Sequence, residues 1–244
     1  MVVAAEGYLG KAEEVLEEIR RTQLNSILKA SKVISESMSK GGVLYLFGTG
    51  HSHLIADEPF FRAGGLAAVS AISESTMLGK DTKSSLLERL EGYGKIIVDT
   101  ARLSENDVLI VISVSGRNAV PIEVTMEAKK RGIPVIAITS MDYSKKIPSR
   151  HSSGKHLCDV ADIVIDNCVP VGDAVLEIGG SPQKVAAVST VSGAAIVNAI
   201  IGQVAENMVS EGITPPVFLS GNVDGADKYN AKLVDKYKDK IRFF

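Results

Sequence analysis

Two short loops hold the residues best able to do chemistry. The first is Gly48-Thr49-Gly50-His51-Ser52, directly after the apolar run VLYLFG (43–48). The second is Ser113-Val114-Ser115-Gly116-Arg117-Asn118, directly after VLIVI. Taken alone, the first loop could serve a metal, a dinucleotide or a phosphate. It also reads as a plain glycine turn with Ser52 as a helix N-cap. His51 and His53 form a His-x-His pair, but they sit at a loop-helix junction and no acidic residue has ligand spacing, so no metal is expected. A dinucleotide fingerprint needs glycine where His53 stands, and no GxxxxGK[ST] occurs. The second loop decides between the remaining readings. Glycines let backbone approach a ligand closely, and a helix start offers free N–H groups and partial positive charge. Hydroxyls of Thr49, Ser52, Ser113 and Ser115, with the Asn118 amide, add donors without any lysine. Two such clusters at strand ends read as the two sides of one phosphate site.

Those loops need strands and helices to hold them. Residues 8–39 show apolar positions three and four apart, from Leu9 and Ala12 to Ile34 and Met38, so one long helix is expected, closed by Gly41-Gly42. Such a helix is longer than a small sheet can cover, so a face of it is expected to meet a second subunit. Apolar strands then alternate with helical stretches. Strands are read at 43–48, 66–72, 108–113, 134–139 and 163–166. Helices are read at 52–63, 84–102, 118–131, 183–211 and 226–239. This alternation implies right-handed crossovers and a parallel, doubly wound α/β sheet. Ligands of such sheets bind beyond the strands' carboxyl ends, where both loops fall. One domain is expected over 1–244: an N-terminal helix (1–42), a core with the last long helix (43–211), and a C-terminal extension (212–244). Within that extension PVFLSGN reads as reaching a sheet edge or a partner, and Asn222, Asp224 and Asp227 as turn and cap residues or sugar-hydroxyl ligands.

The two loops, with EAKKRGIPVIAITS after the second, HLCDVADIVID further on and STVSG at 189–193, resemble the sugar isomerase (SIS) domain family. The resemblance runs from about Val43 to Met208 and is closest to stand-alone bacterial proteins similar to phosphoheptose isomerases. It implies a three-layer fold around a five-stranded parallel sheet in flavodoxin-like order. It also implies a dimer or tetramer, a sugar-phosphate ligand and no cofactor. Ser113, Ser115, Gly116 and Asn118 match phosphate-binding positions, and Gly48, Thr49, Gly50 and Ser52 match the first loop. Ser189, Thr190 and Ser192 correspond to residues that close the site. The implied reaction is aldose–ketose isomerisation; a sugar-phosphate sensor, a lyase or a deaminase are the alternatives.

Isomerisation needs a base for the proton alpha to the carbonyl and a group that helps to open the ring. Glu58 stands two turns after His51 and could face the same ligand. It is also four residues from Arg62, where a surface ion pair would contribute a few tenths of a kcal/mol. Glu74 follows the second strand and is read as base or turn cap. Glu177, between glycines, could close over a sugar. His51 is read as a proton carrier or hydroxyl binder, and His151 and His156 as exposed loop residues. Phosphoheptose isomerases place a histidine on the last long helix, and 183–211 has none; their glutamate falls near Arg62.

Composition narrows the class further. With 27 Lys+Arg against 29 Asp+Glu and no basic block, nothing favours nucleic acid. Hydrophobic residues make up 45% and aromatics 5%, the aliphatic balance that buried parallel strands require. No apolar run is long enough for a membrane span. The start lacks the basic and apolar regions of a signal peptide. Cys158 and Cys168 have no metal or redox spacing, and reduced thiols in the cytoplasm are expected.

Overall fold

The computed structural model describes residues 3–79 and 82–242. The outermost residues of the expected segments 1–42 and 212–244, namely 1–2 and 243–244, lie outside the described residues. The chain opens with α1 (Ala4–Thr22) and α2 (Leu24–Ser39), then β1 (Leu44–Gly48), α3 (Ser52–Asp57) and β2 (Val69–Ala71). Next come α4 (Thr82–Leu87), α5 (Tyr93–Thr100), β3 (Val108–Ile112), α6 (Ala119–Lys130) and β4 (Val135–Thr139). Two short helices, α7 (Met141–Lys146) and α8 (Leu157–Val160), precede β5 (Ile163–Asp166). A hairpin of β6 (Ala174–Leu176) and β7 (Val185–Ala187) leads into α9 (Ser189–Ser210), and α10 (Ala226–Tyr237) comes last.

Five strands form one parallel sheet in the order β2-β1-β3-β4-β5. β1, β3 and β4 are buried along their whole length, which is why they read as continuous Val/Ile/Leu runs without alternation. Right-handed crossovers put α3 on one face and α6 on the other. α2 and α3 pack with α9 on the first face; α5 and α8 pack with α6 on the second. A side chain at Gly193 would collide with Ile55, so this glycine is what lets α9 lie close on α3.

Several boundaries differ from the sequence reading. The expected single helix over 8–39 bends at Gln23, whose side-chain oxygen accepts from the Asp166 amide at 3.0 Å and ties the bend to the end of β5. α2 then packs on α9 of its own chain, while Leu9, Leu24 and Leu28 stay exposed. The helix read over 52–63 stops at Asp57: Glu58 keeps helical dihedrals, but Pro59 has no N–H with which to extend the ladder. The helix read over 84–102 is two helices, broken at Gly92 with φ +89°. The antiparallel pair β6–β7 was read partly as helix, and α9 starts only at Ser189. β2 is shorter than the 66–72 read for it, because 64–67 pair instead with the C-terminal segment. Ala67 donates to Pro216, Phe218 to Gly65 and Gly64 to Phe218. PVFLSGN therefore does reach the sheet edge, where a bare strand would invite foreign pairing.

Both cysteines are free thiols. Burial, reinforced by the Asp166 carboxylate, pushes the Cys168 thiol up to about 11. Only the thiolate reacts, and a rise from 9.0 to about 11 leaves about 100-fold less of it at pH 8. In a Cys158→Ser background, iodoacetamide labelling of Cys168 should be about that much slower than labelling of an ordinary thiol. The rate should rise about tenfold per unit between pH 8 and 10. Labelling at the rate of free cysteine at pH 8 would contradict this burial.

Candidate functional site

β1 and β3 lie side by side with Gly48 opposite Ile112, yet the chain leaves them in opposite directions, towards β2 and towards β4. Their two loops therefore flank the crevice at the switch point of the sheet. In the first loop a Cβ on Gly48 would overlap the Ser52 carbonyl, so only glycine permits this tight turn into α3. The Gly50 amide donates to Met77 at 2.8 Å, so the turn after β2 rests on the loop. Ser52 is buried, and its hydroxyl meets no hydrogen-bonding partner among the described residues. The Thr49 hydroxyl donates to the Glu88 carboxylate at 2.6 Å.

The second loop is held open as a cradle. Ser113 Oγ accepts from the Gly116 amide at 3.2 Å. Gly116 takes φ +58°, and a Cβ there would come within 2.7 Å of Thr139 Oγ1, so two constraints demand glycine. The Ser115 hydroxyl and the amides of Ser115, Arg117 and Asn118 donate to no group among the described residues. Successive free amides before a helix form an anion-binding concavity. Asn118 occupies the N-cap position of α6 without a side-chain cap bond, and its Oδ1 accepts from Arg150 at 3.1 Å. The Glu88 carbonyl accepts from Val120 at 3.1 Å. Glu88 thus touches the first loop through its side chain and the start of α6 through its backbone. Neither Glu88 nor Arg150 was found by sequence reasoning. Both come from distant segments, and no local spacing marks them.

The residues singled out in sequence divide between this crevice and other places. His51 is exposed at the start of α3, and His53 Nδ1 contacts the Gly50 carbonyl. Glu58 ends α3, ion-paired with Arg62 and accepting from Asn198 of α9 at 3.0 Å. Beside it, burial raises the Asp57 carboxyl, opposed by His53. Glu74 accepts from the Thr76 amide and hydroxyl at 3.2 and 2.7 Å and so caps a turn. It lines a cavity of about 370 Å³ beside β2, shared with Tyr45, Arg102 and Lys240. Ser189 donates to Asp173 at 2.6 Å, and Ser192 donates to the Ser189 carbonyl at 3.1 Å; of this trio only Thr190 is exposed. Glu177 is exposed and pairs with Lys184 across the β6–β7 hairpin, and Asp227 lies in the first turn of α10.

The histidines expected in an exposed loop are largely buried: the side chains of His151 and His156 are 9% and 12% exposed. His156 Nε2 donates to the Ile147 carbonyl at 2.9 Å. His151 approaches Glu123 to 3.8 Å, and with Glu91 these are ligand types close enough for a metal. Each of the four carboxylate oxygens, however, already accepts from the protein. Glu123 takes the Gly92 and Gly94 amides at 2.6 and 3.0 Å and caps α5. Glu91 takes the Ser152 amide and hydroxyl at 2.6 and 2.7 Å, bonds that also hold its carboxyl below the usual range. The cluster is a closed hydrogen-bond network that pins the 147–154 loop beside the crevice.

Fold and crevice together define a doubly wound α/β protein with two glycine- and hydroxyl-rich loops at its switch point. The chain belongs to the SIS domain family, whose model matches residues 7–140. A UPF0309 protein of Caldanaerobacter subterraneus is 45% identical over 240 residues, covering 96% of this chain and 98% of the relative. Among solved structures, phosphoheptose isomerase GmhA from Neisseria gonorrhoeae superposes with a TM-score of 0.56 at 18% identity, covering 83% of this chain and 97% of that one. The NanR protein of Vibrio vulnificus, complexed with ManNAc-6P, gives 0.55 at 14% identity, covering 96% and 69%. At these identities the two structures bear on the fold. No helix among the described residues is long and apolar enough to cross a membrane.

Proposed function

We propose that this protein binds a sugar phosphate between the two loops and interconverts its aldose and ketose forms, with Glu88 as the base. The observation that carries the reading is the crevice between β1 and β3. It collects unpaired amides and the hydroxyls of Ser52 and Ser115 beside one half-buried carboxylate joined to both loops. The loops hold the phosphate. Glu88 keeps Oε1 on Thr49 and has Oε2 available to take the proton alpha to the carbonyl and return it to the neighbouring carbon. Of the carboxylates favoured by spacing alone, Glu58 has both oxygens engaged, by Arg62 and Asn198, and Glu74 caps a turn through Oε1 and lines the cavity beside β2. That engagement, with NanR as a sugar-phosphate-bound neighbour, favours as second reading a sensor that binds without turnover.

A thermal-shift panel of C5–C7 and amino-sugar phosphates, each beside its unphosphorylated sugar, tests the ligand class. At a concentration 100 times Kd, binding should stabilise by about 2.7 kcal/mol and raise Tm measurably. A shift with a phosphate and not with its parent sugar is the expected result. Equal shifts for both, or none, would remove the phosphate from the proposal.

A further inference from the structure

We propose that the ligand carries a second anionic group, a phosphate or a carboxylate, held by Arg89, Arg117 and Arg150 beside the two loops. This rests on the sugar-phosphate reading and narrows it to doubly anionic sugars such as bisphosphates and phosphorylated sugar acids. The three arginines come from separate parts of the chain. Arg89 lies just past α4, Arg117 sits inside the second loop, and Arg150 follows α7. The fold draws them together: the Arg150 amide donates to the Arg117 carbonyl at 2.8 Å, and Arg150 Nη1 donates to Asn118 at 3.1 Å. Glu88, which precedes Arg89, is bonded through its carbonyl to the start of α6.

None of the three forms an ion pair among the described residues. Arg20, Arg21, Arg62 and Arg131 each sit on a carboxylate; Arg102 and Arg242 do not, but they lie away from the two loops, lining the cavity beside β2. Arg117 Nε is buried with no hydrogen-bonding partner, a loss that a donor held in a rigid guanidinium fork rarely tolerates without a ligand. Burial and then the charges of Arg117 and Arg89 push the Arg150 guanidinium below its usual value, so the three cations feel one another. Glu88 is the carboxylate acting against this in Arg150, and its Oε1 is occupied by Thr49. Glu91 and Glu123 lie nearby, but their oxygens accept from Ser152, Gly92 and Gly94, and none of the three guanidiniums is paired with them. The loops supply enough amides and hydroxyls for one phosphate without any guanidinium. Arginine's planar fork matches a further phosphate or carboxylate in bidentate fashion.

Isothermal calorimetry on the full chain tests this with two matched pairs: fructose 6-phosphate against fructose 1,6-bisphosphate, and glucose 6-phosphate against 6-phosphogluconate. The doubly anionic member of at least one pair should bind at least about tenfold tighter. That advantage should vanish in Arg89→Gln and in Arg150→Gln. Arg89 is exposed and its side chain makes no hydrogen bond or ion pair among the described residues, so Arg89→Gln should keep its fold and its affinity for the monophosphate. Equal affinity within both pairs, or an advantage that survives both substitutions, overturns the second anion while monophosphate binding leaves the proposed function standing. No binding of any phosphate removes both.

Discussion

Glutamine in place of Glu88 should lower turnover of the sugar phosphate by about 10²–10⁴-fold, the range that a positioned general base contributes. The substitution isolates chemistry from architecture. A glutamine amide oxygen can still accept from the Thr49 hydroxyl, now at 2.6 Å from Oε1, and the backbone bond from Val120 is untouched. Sugar-phosphate affinity should therefore hold within a few-fold while turnover falls. Following loss of the alpha proton in D₂O by NMR reads the proton-transfer step directly, apart from product release. Glu58→Gln makes the contrast. It weakens the Arg62 pair and leaves the Asn198 contact an amide partner, so its effect should be mainly on the α3–α9 packing. Full turnover in Glu88→Gln, with loss in Glu58→Gln, would move the base to α3. Full turnover in both would mean that neither carboxylate is the base, and no turnover in the wild type despite binding would favour the sensor.

Much of this was legible in sequence because the signals were local. VLIVI reads as a strand because every position in β3 is buried, so no alternation dilutes the apolar run. Both loops stood out because glycine and small hydroxyl residues cluster there directly after an apolar strand and before a helix. The failures were also physical. VAAV at 185–188 has helical composition, yet it makes β7 by pairing with a partner at 174–176, with Ala186 at φ +63°. Pairing at that distance overrides propensity and leaves no local trace. Pro59 was a readable stop for α3, outweighed by the apolar pattern that continues through Phe60. Glu88, Arg89 and Arg150 belong to the crevice only through tertiary contacts. Arg117 was the one member of that set already inside a motif. Ser189 was read from its position as closing the site, and its hydroxyl donates to Asp173, just before the hairpin.

Phe47→Ala should destabilise the protein by about 3–5 kcal/mol, the range for removing a fully buried aromatic side chain. Phe47 is 0% exposed in β1, opposite Val111 of β3, one residue before the glycine that turns the chain into the first loop. Tyr45 shares its face by the period of two, but its hydroxyl is tied to the Arg102 and Lys240 carbonyls, so it is not free to swing into the void. Total stability of a domain this size is about 5–15 kcal/mol, so the loss is a large fraction and the urea midpoint should fall steeply at unchanged m-value. A second consequence separates a rigid core from a pliant one. Gly48 and Thr49 take their positions from β1, and Thr49 carries Glu88. A cavity behind Phe47 should therefore weaken sugar-phosphate binding even under conditions where the variant is fully folded. Phe47→Leu, which keeps most of the volume, should restore most of both properties. A loss of under about 1 kcal/mol in Phe47→Ala would mean that the sheet collapses freely onto the void, and that β1 does not hold the first loop by packing.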